Sequence, residues 1–301
     1  MKYYLGIDLG GTNVRVAKVD EEGNVLNDII SPSHGLEGPD VIVNNIISII
    51  EQFDLSDVKG IGLAIPGPVD AERNVISQST NIPGCEDYPF ADIIQNKFNI
   101  PVVLDNDANA AGLAEAMFGA GKDYKSVYYI THSTGIGGAL IIDKHLINGH
   151  KGYAGEVANI IVDAGAERPN RYSHLNAGSV ESVASGTAIG MQGEKAIGPD
   201  ASNAKEVFAF ARKGDERALK IVDDAVFHLS IMLGAISCVC APDCFVIGGG
   251  CSKDQDVYFD KVRYHFHSLV HKHLQDVPVI PAELKEPGVV GAAMLAKQKE
   301  S

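Results

Sequence analysis

The sequence predicts an α/β protein of two domains, and three observations carry that prediction. The chain has 301 residues, the size at which one hydrophobic core usually splits into two. Strand-like and helix-like segments alternate along it, as they do where helices cover a largely parallel sheet. A hairpin-first arrangement also occurs twice, over residues 3–30 and again over 127–147, which two copies of one α/β module explain most simply. With 45% hydrophobic residues, the chain can bury enough surface to offset its conformational entropy, which argues against disorder.

In the first module, residues 3–8 read as a strand, Leu9-Gly10-Gly11-Thr12-Asn13 as a tight turn and 14–19 as the returning strand, because runs rich in β-formers flank turn residues. Glu22-Gly23-Asn24 turns the chain into a third strand, 25–30. A helix over 40–52, a strand over 60–65, a helix near 90–98, a strand over 101–104 and a helix over 108–118 follow. Gly119 to Asp123 reads as the break between halves. The second module opens with strand 127–130, the turn Thr131-His132-Ser133-Thr134-Gly135 and strand 136–142. Helices are expected near 179–196, 203–213 and 215–240, then a strand at 245–247. Helix 256–274 has Phe259, Val262, Phe266 and Leu269 at helical spacing. Strand 277–281 and helix 288–299 complete the chain, with a cleft expected between the domains.

Lys+Arg 25 against Asp+Glu 39 gives a net charge of -14, so phosphate backbones and anionic lipid surfaces are repelled, and neither nucleic acid nor a membrane is an expected partner. Asp8 lies where a signal peptide needs apolar residues. The most apolar stretch, 225–241, is interrupted by His228, Ser230, Gly234 and Ser237 and reads as short of a membrane span. Five cysteines, an odd number, read as reduced thiols of a cytoplasmic protein. Cys238, Cys240 and Cys244 read as core thiols, and His265, His267, His271 and His273 as the solvated face of a helix.

Common nucleotide signatures fail. No Gly-x-x-x-x-Gly-Lys-Ser/Thr stretch, no strand-borne Gly-x-Gly-x-x-Gly and no Gly-x-Ser-x-Gly elbow is present. Two glycine-rich hairpin turns remain. Each is either a plain β-turn or a cradle whose backbone N–H groups, with Thr12, Ser133 and Thr134 hydroxyls, bind phosphate oxygens. Asp8, at the end of the first strand, is placed to hold Mg²⁺ through water. Asp107, in Asp105-Asn106-Asp107-Ala108-Asn109, reads both as a helix N-cap and as a carboxylate able to take a proton from an attacking hydroxyl. Asn81, Glu156 and Glu181 are candidate sugar contacts, since amides and carboxylates make paired hydrogen bonds to neighbouring hydroxyls. Glu181 also suits the start of a helix.

Read together, these segments resemble the ROK family of sugar kinases, especially its bacterial glucokinase-like members. The resemblance rests on 6–12 (Gly-Ile-Asp-Leu-Gly-Gly-Thr), 65–70 (Ile-Pro-Gly-Pro-Val-Asp), 81–84 (Asn-Ile-Pro-Gly) and 106–110 (Asn-Asp-Ala-Asn-Ala). Further on it rests on 133–138 (Ser-Thr-Gly-Ile-Gly-Gly), 154–156 (Ala-Gly-Glu), 247–250 (Ile-Gly-Gly-Gly) and 290–293 (Val-Gly-Ala-Ala). These come in the family's order over essentially the whole chain.

The resemblance implies a two-lobed actin/hexokinase-like, ribonuclease H-like ATPase fold with ATP and sugar in an interdomain cleft. It implies a small domain 1–118 completed by the C-terminal helix 288–301, and a large domain 119–287. Asp107 would be the general base. Gly67, Asn81, Asn106, Glu156, Asn159 and Glu181 would lie on the sugar side. Asp8, Gly10, Gly11, Thr12, Asn13, Ser133, Thr134, Gly135, Gly248 and Gly249 would serve ATP and Mg²⁺. A homodimer is implied as well.

Two departures stand out. Asn159 occupies the place of a family histidine, and 163–178 has no cysteine, so no structural zinc is expected, zinc needing about four soft or imidazole ligands. Ser133 replaces the first glycine of the phosphate turn and Ala139 a later one. The leading expectation is ATP-dependent phosphorylation of a hexose, glucose first, at its C6 hydroxyl. N-Acetylglucosamine or N-acetylmannosamine kinase is the alternative within the class, and a non-catalytic sugar sensor or transcriptional regulator the alternative outside it.

Overall fold

A computed structural model of the chain describes residues 2–77, 82–167, 172 and 174–300. Asn81, expected on the sugar side, lies outside the described residues. The chain forms two compact units: residues 1–123, 139–155 and 283–301 make the first, and 124–138 with 156–282 the second.

The first unit is built on strands β1 (Tyr3–Leu9), β2 (Asn13–Asp20), β3 (Val25–Pro32), β4 (Val58–Ile65) and β7 (Val102–Asn106), in the sheet order β3-β2-β1-β4-β7. The short pair β5 (Val69–Asp70) and β6 (Val75–Ile76) stands apart. β1 pairs antiparallel with β2, and parallel with β4, which pairs parallel with β7. Leu5, Ile7, Val16, Ile61 and Leu63 are fully buried with Ile42 and Ile46 of α1 (Pro39–Ile50) and Phe90 and Ile94 of α2 (Phe90–Phe98). On the sheet's other side lie α3 (Asp107–Phe118) and α9 (Pro287–Glu300). Side chains at Gly6 and Gly62 would overlap the α9 backbone at Val289 and Ala292, so these two glycines let the helix lie against the strands.

The second module repeats the plan: β8 (Ser126–His132), β9 (Ile136–Ile142), β10 (His145–Leu146), β11 (Cys244–Gly248) and β12 (Val279–Pro281) form a sheet of order β10-β9-β8-β11-β12. β8, β11 and β12 run parallel. Helices α6 (Ala204–Arg212), α7 (Glu216–Cys240) and α8 (Gln255–Leu269) supply its core, with Leu229, Leu233, Phe245, Tyr258 and Phe266 buried.

Four expectations need correction. Residues 179–196 form two helices, α4 (Val180–Ala184) and α5 (Gly186–Ala196), because Ser185 is extended and caps α5 by accepting the Ala188 N–H. Helix α8 stops at Leu269, where Val270 is extended, so His271 and His273 are off it. The stretch 225–241 reads as short of a membrane span, yet α7, placed as expected, has 25 residues and is long and apolar enough to cross a membrane by length and composition alone. Twelve of them are buried against the second unit's own helices, as in the spine of a globular core. Finally, Cys238 is exposed, while Cys244 and Cys251 are buried.

Candidate active site

In the first unit the chemistry-bearing residues gather at one edge of the sheet. β1, β4 and β7 run parallel, so their carboxyl ends share that edge, where open α/β sheets bind ligands. Asp8 is the penultimate residue of β1, Gly67 follows β4 with φ 109°, and Asn106 and Asp107 join β7 to α3.

The first glycine turn is closed by two bonds. Gly10 N–H donates to Asn13 O at 2.8 Å, and Ser33 N–H donates to Thr12 O at 2.8 Å. Gly11 has an ordinary negative φ, and nothing lies within 4 Å of where its Cβ would stand. The protein's own packing therefore gives no reason for a glycine there, and the space suits a phosphate approaching the backbone. Thr12 and Asn13 are exposed beside it.

Burial, then Glu286, raises the proton affinity of the Asp8 carboxyl, while Arg15 works against both. Arg15 faces Asp8 in the β1–β2 register and is paired with Asp28 at 2.9 Å and with Glu286. Among the described residues no donor bonds the Asp8 oxygens. A partly buried carboxylate left with accepting capacity fits a Mg²⁺ held mostly by water.

Asp107 is not the N-cap. Asn106 is still extended (φ -66°, ψ 147°), and its Oδ1 accepts the Ala108 N–H at 2.8 Å. The strand thus runs two residues further than expected and the cap falls one residue earlier. Asp107 becomes the first helical residue, where the positive end of the helix dipole favours a carboxylate; its Oδ1 also receives the Ala108 N–H at 2.8 Å. Asn106 Nδ2 donates to Gly67 O at 2.9 Å, which joins two of the expected sugar-side residues. Asp105 escaped the sequence reading. Its buried Oδ1 accepts from Asn106 N–H and Asn109 Nδ2, both at 2.7 Å, and locks the strand-to-helix turn beneath Asp107. The i,i+4 spacing of Asp105 and Asn109 was the available signal.

In the second unit, β8 delivers the turn Ser133-Thr134-Gly135 and β11 delivers Gly248 and Gly249, again at carboxyl ends of parallel strands. Ser133 O accepts Gly186 N–H at 2.8 Å and Thr134 O accepts Thr187 N–H at 3.3 Å, so the start of α5 holds the turn. The Ser133 hydroxyl faces Gly250, whose Cβ would stand 3.5 Å from it. Glu181 Oε2 accepts Ile136 N–H at 2.8 Å, and a Cβ at Gly135 would come within 2.5 Å of the same oxygen. Burial raises the Glu181 carboxyl, opposed by that bond and by His174.

Asn159 and Glu156 are exposed. Asn159 Oδ1 accepts Asn176 N–H at 2.7 Å, and Val180 N–H and Glu181 N–H donate to Ile160 O and Ala158 O. Hydrogen bonds therefore tie residues 158–160 to Asn176 and to the start of α4. Among the described residues no three His, Cys, Asp or Glu side chains gather to hold a metal ion.

Two hairpin-first α/β modules with glycine turns at the carboxyl ends of their strands define the class of actin/hexokinase-like proteins. The family model for ROK proteins matches residues 4–299, and the chain belongs to the ROK family. It is 30% identical to a glucokinase of Halalkalibacterium halodurans over 100% of this chain and 96% of that one. A ROK hexokinase of Thermus thermophilus superposes with a TM-score of 0.89 at 28% identity, covering 99% of both chains. A ROK glucokinase of Streptomyces griseus, solved with glucose and AMPPNP, gives 0.81 at 29% identity, covering 98% of this chain and 99% of that one.

Proposed function

We propose that the protein transfers the γ-phosphoryl group of ATP to a hexose, with glucose the first substrate and its C6 hydroxyl the acceptor. The observation that carries this reading is the placement of Asp107. It stands at the carboxyl end of β7, at the sheet edge where Asp8 also lies, with its backbone fixed by the Asn106 cap and by Asp105.

In this reading Asp107 accepts the proton of the sugar hydroxyl as the hydroxyl oxygen bonds to the γ-phosphorus. The bond from that phosphorus to the β–γ bridging oxygen breaks, and ADP leaves. Backbone N–H groups at Gly11, Thr134 and Gly135, with Thr12, Asn13 and Ser133, bind the phosphates, Gly10 closes the first turn, and Gly248 and Gly249 give the adenosine side a surface without side chains. Gly67, Asn106, Glu156, Asn159 and Glu181 orient the sugar. Asp8 would hold Mg²⁺ through water, and the bound ion would neutralise charge on the transferring group. A cytoplasmic location and a homodimer belong to the same reading, the dimer being checked by sedimentation.

Two features favour testing acetylated hexosamines beside glucose: Asn159 stands in the place of a family histidine, and its side-chain oxygen is engaged by the loop. The experiment is ADP release by purified protein with ATP and Mg²⁺ across glucose, mannose, fructose, allose, N-acetylglucosamine and N-acetylmannosamine. Turnover with glucose supports the proposal, and a preference for an acetylated sugar transfers it to that substrate. Sugar binding without turnover on any of them replaces the kinase with a sensor.

A further inference from the structure

His132 is a buried polar residue that the reaction described above does not use. It is the last residue of β8, is fully buried, and directly precedes the Ser133-Thr134-Gly135 turn. Its Nε2 lies 2.7 Å from Ala184 O and its Nδ1 lies 2.7 Å from the Tyr258 hydroxyl oxygen. A carbonyl only accepts, so Nε2 carries the proton; Nδ1 then offers its lone pair and the Tyr258 O–H donates. Burial keeps the ring neutral, with its pKa pushed down to about 4. Every polar group of the pair is thus satisfied away from water, the condition under which such a network is stiff.

The backbone around this ring is crowded on the nucleotide side. A side chain at Gly249 would overlap the His132 backbone, and one at Gly186 would stand 2.5 Å from Ser133 O. Ala184, Ser185 and Gly186 are consecutive, so the His132 bond to Ala184 O and the Gly186 N–H bond to Ser133 O grip one short peptide segment. The ring is where β8, the α4–α5 junction and α8 meet.

We propose that His132 is a positioning residue for the nucleotide: through Ala184 O and Tyr258 it fixes the Ser133-Thr134-Gly135 turn against the Gly248-Gly249 loop. This rests on the kinase reading. The sugar-side carboxylate has its own supports, since Glu181 is held by Ile136 N–H at 2.8 Å and its backbone N–H by Ala158 O at 3.2 Å. Loosening the His132 link therefore acts on the nucleotide and spares the sugar.

The test compares wild type with Tyr258→Phe, His132→Gln and the double variant His132→Leu/Tyr258→Phe. Calorimetry gives AMPPNP and glucose affinities separately, and a thermal melt reports folding. The double variant removes donor and acceptor together, so it leaves no orphaned hydroxyl and limits the loss of stability. AMPPNP affinity should fall about five- to tenfold in the double variant, the scale of one or two lost buried hydrogen bonds. Glucose affinity should stay within about twofold, and His132→Gln, whose amide keeps a donor for Ala184 O, should recover part of the loss.

Unchanged AMPPNP affinity in the folded variants overturns the proposal, as does an equal fall for both ligands. If the double variant fails to fold, Tyr258→Phe, which keeps the bond to Ala184 O, decides the question on the same readouts. Wild type that binds AMPPNP but phosphorylates no sugar ends the kinase reading alone, and wild type that binds no nucleotide ends both.

Discussion

The two modules begin with strands of matching design and then diverge. β1 and β8 are each 7 residues long and share one burial pattern, with a run of four buried residues. Position by position, Asp8 matches Thr131, and fully buried Leu9 matches fully buried His132. Among the described residues, the buried charged side chains are Lys18, Asp20, Asp70, Asp105 and Glu115, all in the first unit. Buried polar groups of the second unit include His132, serines and the Tyr258 hydroxyl. β7 ends in Asn106 and leads to Asp107, whereas β12 ends in Pro281 and leads to Ala282. Duplication kept the scaffold, and the chemistry became one-sided. The carboxylates proposed as base and metal ligand, Asp107 and Asp8, sit in the first module, while the second offers hydroxyls, backbone N–H groups, a turn braced by its neighbours and the sugar-side acids Glu156 and Glu181.

That asymmetry is most easily broken at Asp107. Asp107→Asn keeps the shape and removes the proton acceptor, so kcat should fall about 10³-fold, within the range for a lost general base. Glucose affinity measured by calorimetry should change less than about threefold, since the amide still bonds hydroxyls. A variant retaining a tenth or more of wild-type turnover would end the one-sided account, because the base would then lie elsewhere.

Glu115 tests whether the buried charge of the first unit is structural. Its carboxylate is fully buried and accepts Ala120 N–H at 2.9 Å, Glu283 N–H at 3.0 Å and Leu284 N–H at 2.8 Å. Glu115→Gln replaces one acceptor oxygen with an NH₂ group facing N–H donors, which should cost about 2–4 kcal/mol. Urea unfolding monitored at pH 7 reads this directly. A loss below about 1 kcal/mol would show that the three donors find water instead.

Much of the fold was legible because hydrophobic periodicity and turn residues are local signals. The hairpins fall within two residues of β1–β3 and β8–β9, and the helices near 90–98 and 203–213 and the strand at 245–247 lie within a residue of α2, α6 and β11. The misplaced boundaries share a cause: backbone state at single residues such as Asn106, Ser185 and Val270 is set by hydrogen bonds that composition does not reveal. Among the site residues, Asp8, Asp107 and the glycines stood out by type and spacing. Asp105, Glu115 and His132 did not. Each works through partners far off in sequence or through backbone groups, and Tyr258 lies 126 residues from His132.

The buried histidine sharpens the comparison with Leu9 through pH. The folded pKa of His132 is about 4, below an unfolded value near 6.5. Its neutral form is thus favoured by folding, and stability is lost as pH falls from about 6.5 towards 4. Between pH 7 and pH 5 this single group should remove about 2 kcal/mol, a loss absent from the His132→Leu/Tyr258→Phe variant. Raised carboxyls such as Glu181 push the other way but are common to both proteins, so the difference between them isolates the histidine. Parallel urea curves for the two at both pH values would overturn this assignment.

The smallest expected effect separates a glycine required by the protein from one required by its ligand. At Gly135 an alanine methyl would stand 2.5 Å from Glu181 Oε2, so Gly135→Ala must displace that side chain and should lower the thermal midpoint. At Gly11 nothing lies within 4 Å of the added Cβ, and alanine also narrows the unfolded ensemble, so Gly11→Ala should be neutral or stabilising by up to about 1 kcal/mol. If the turn receives phosphate, the same methyl should obstruct the approach and raise KM for ATP about tenfold, the scale of one lost charge-assisted contact. Thermal melts with ATP titrations on both variants give the answer. A Gly11→Ala protein with wild-type KM would mean that the first turn is only a hairpin, leaving the braced second turn to bind phosphate alone.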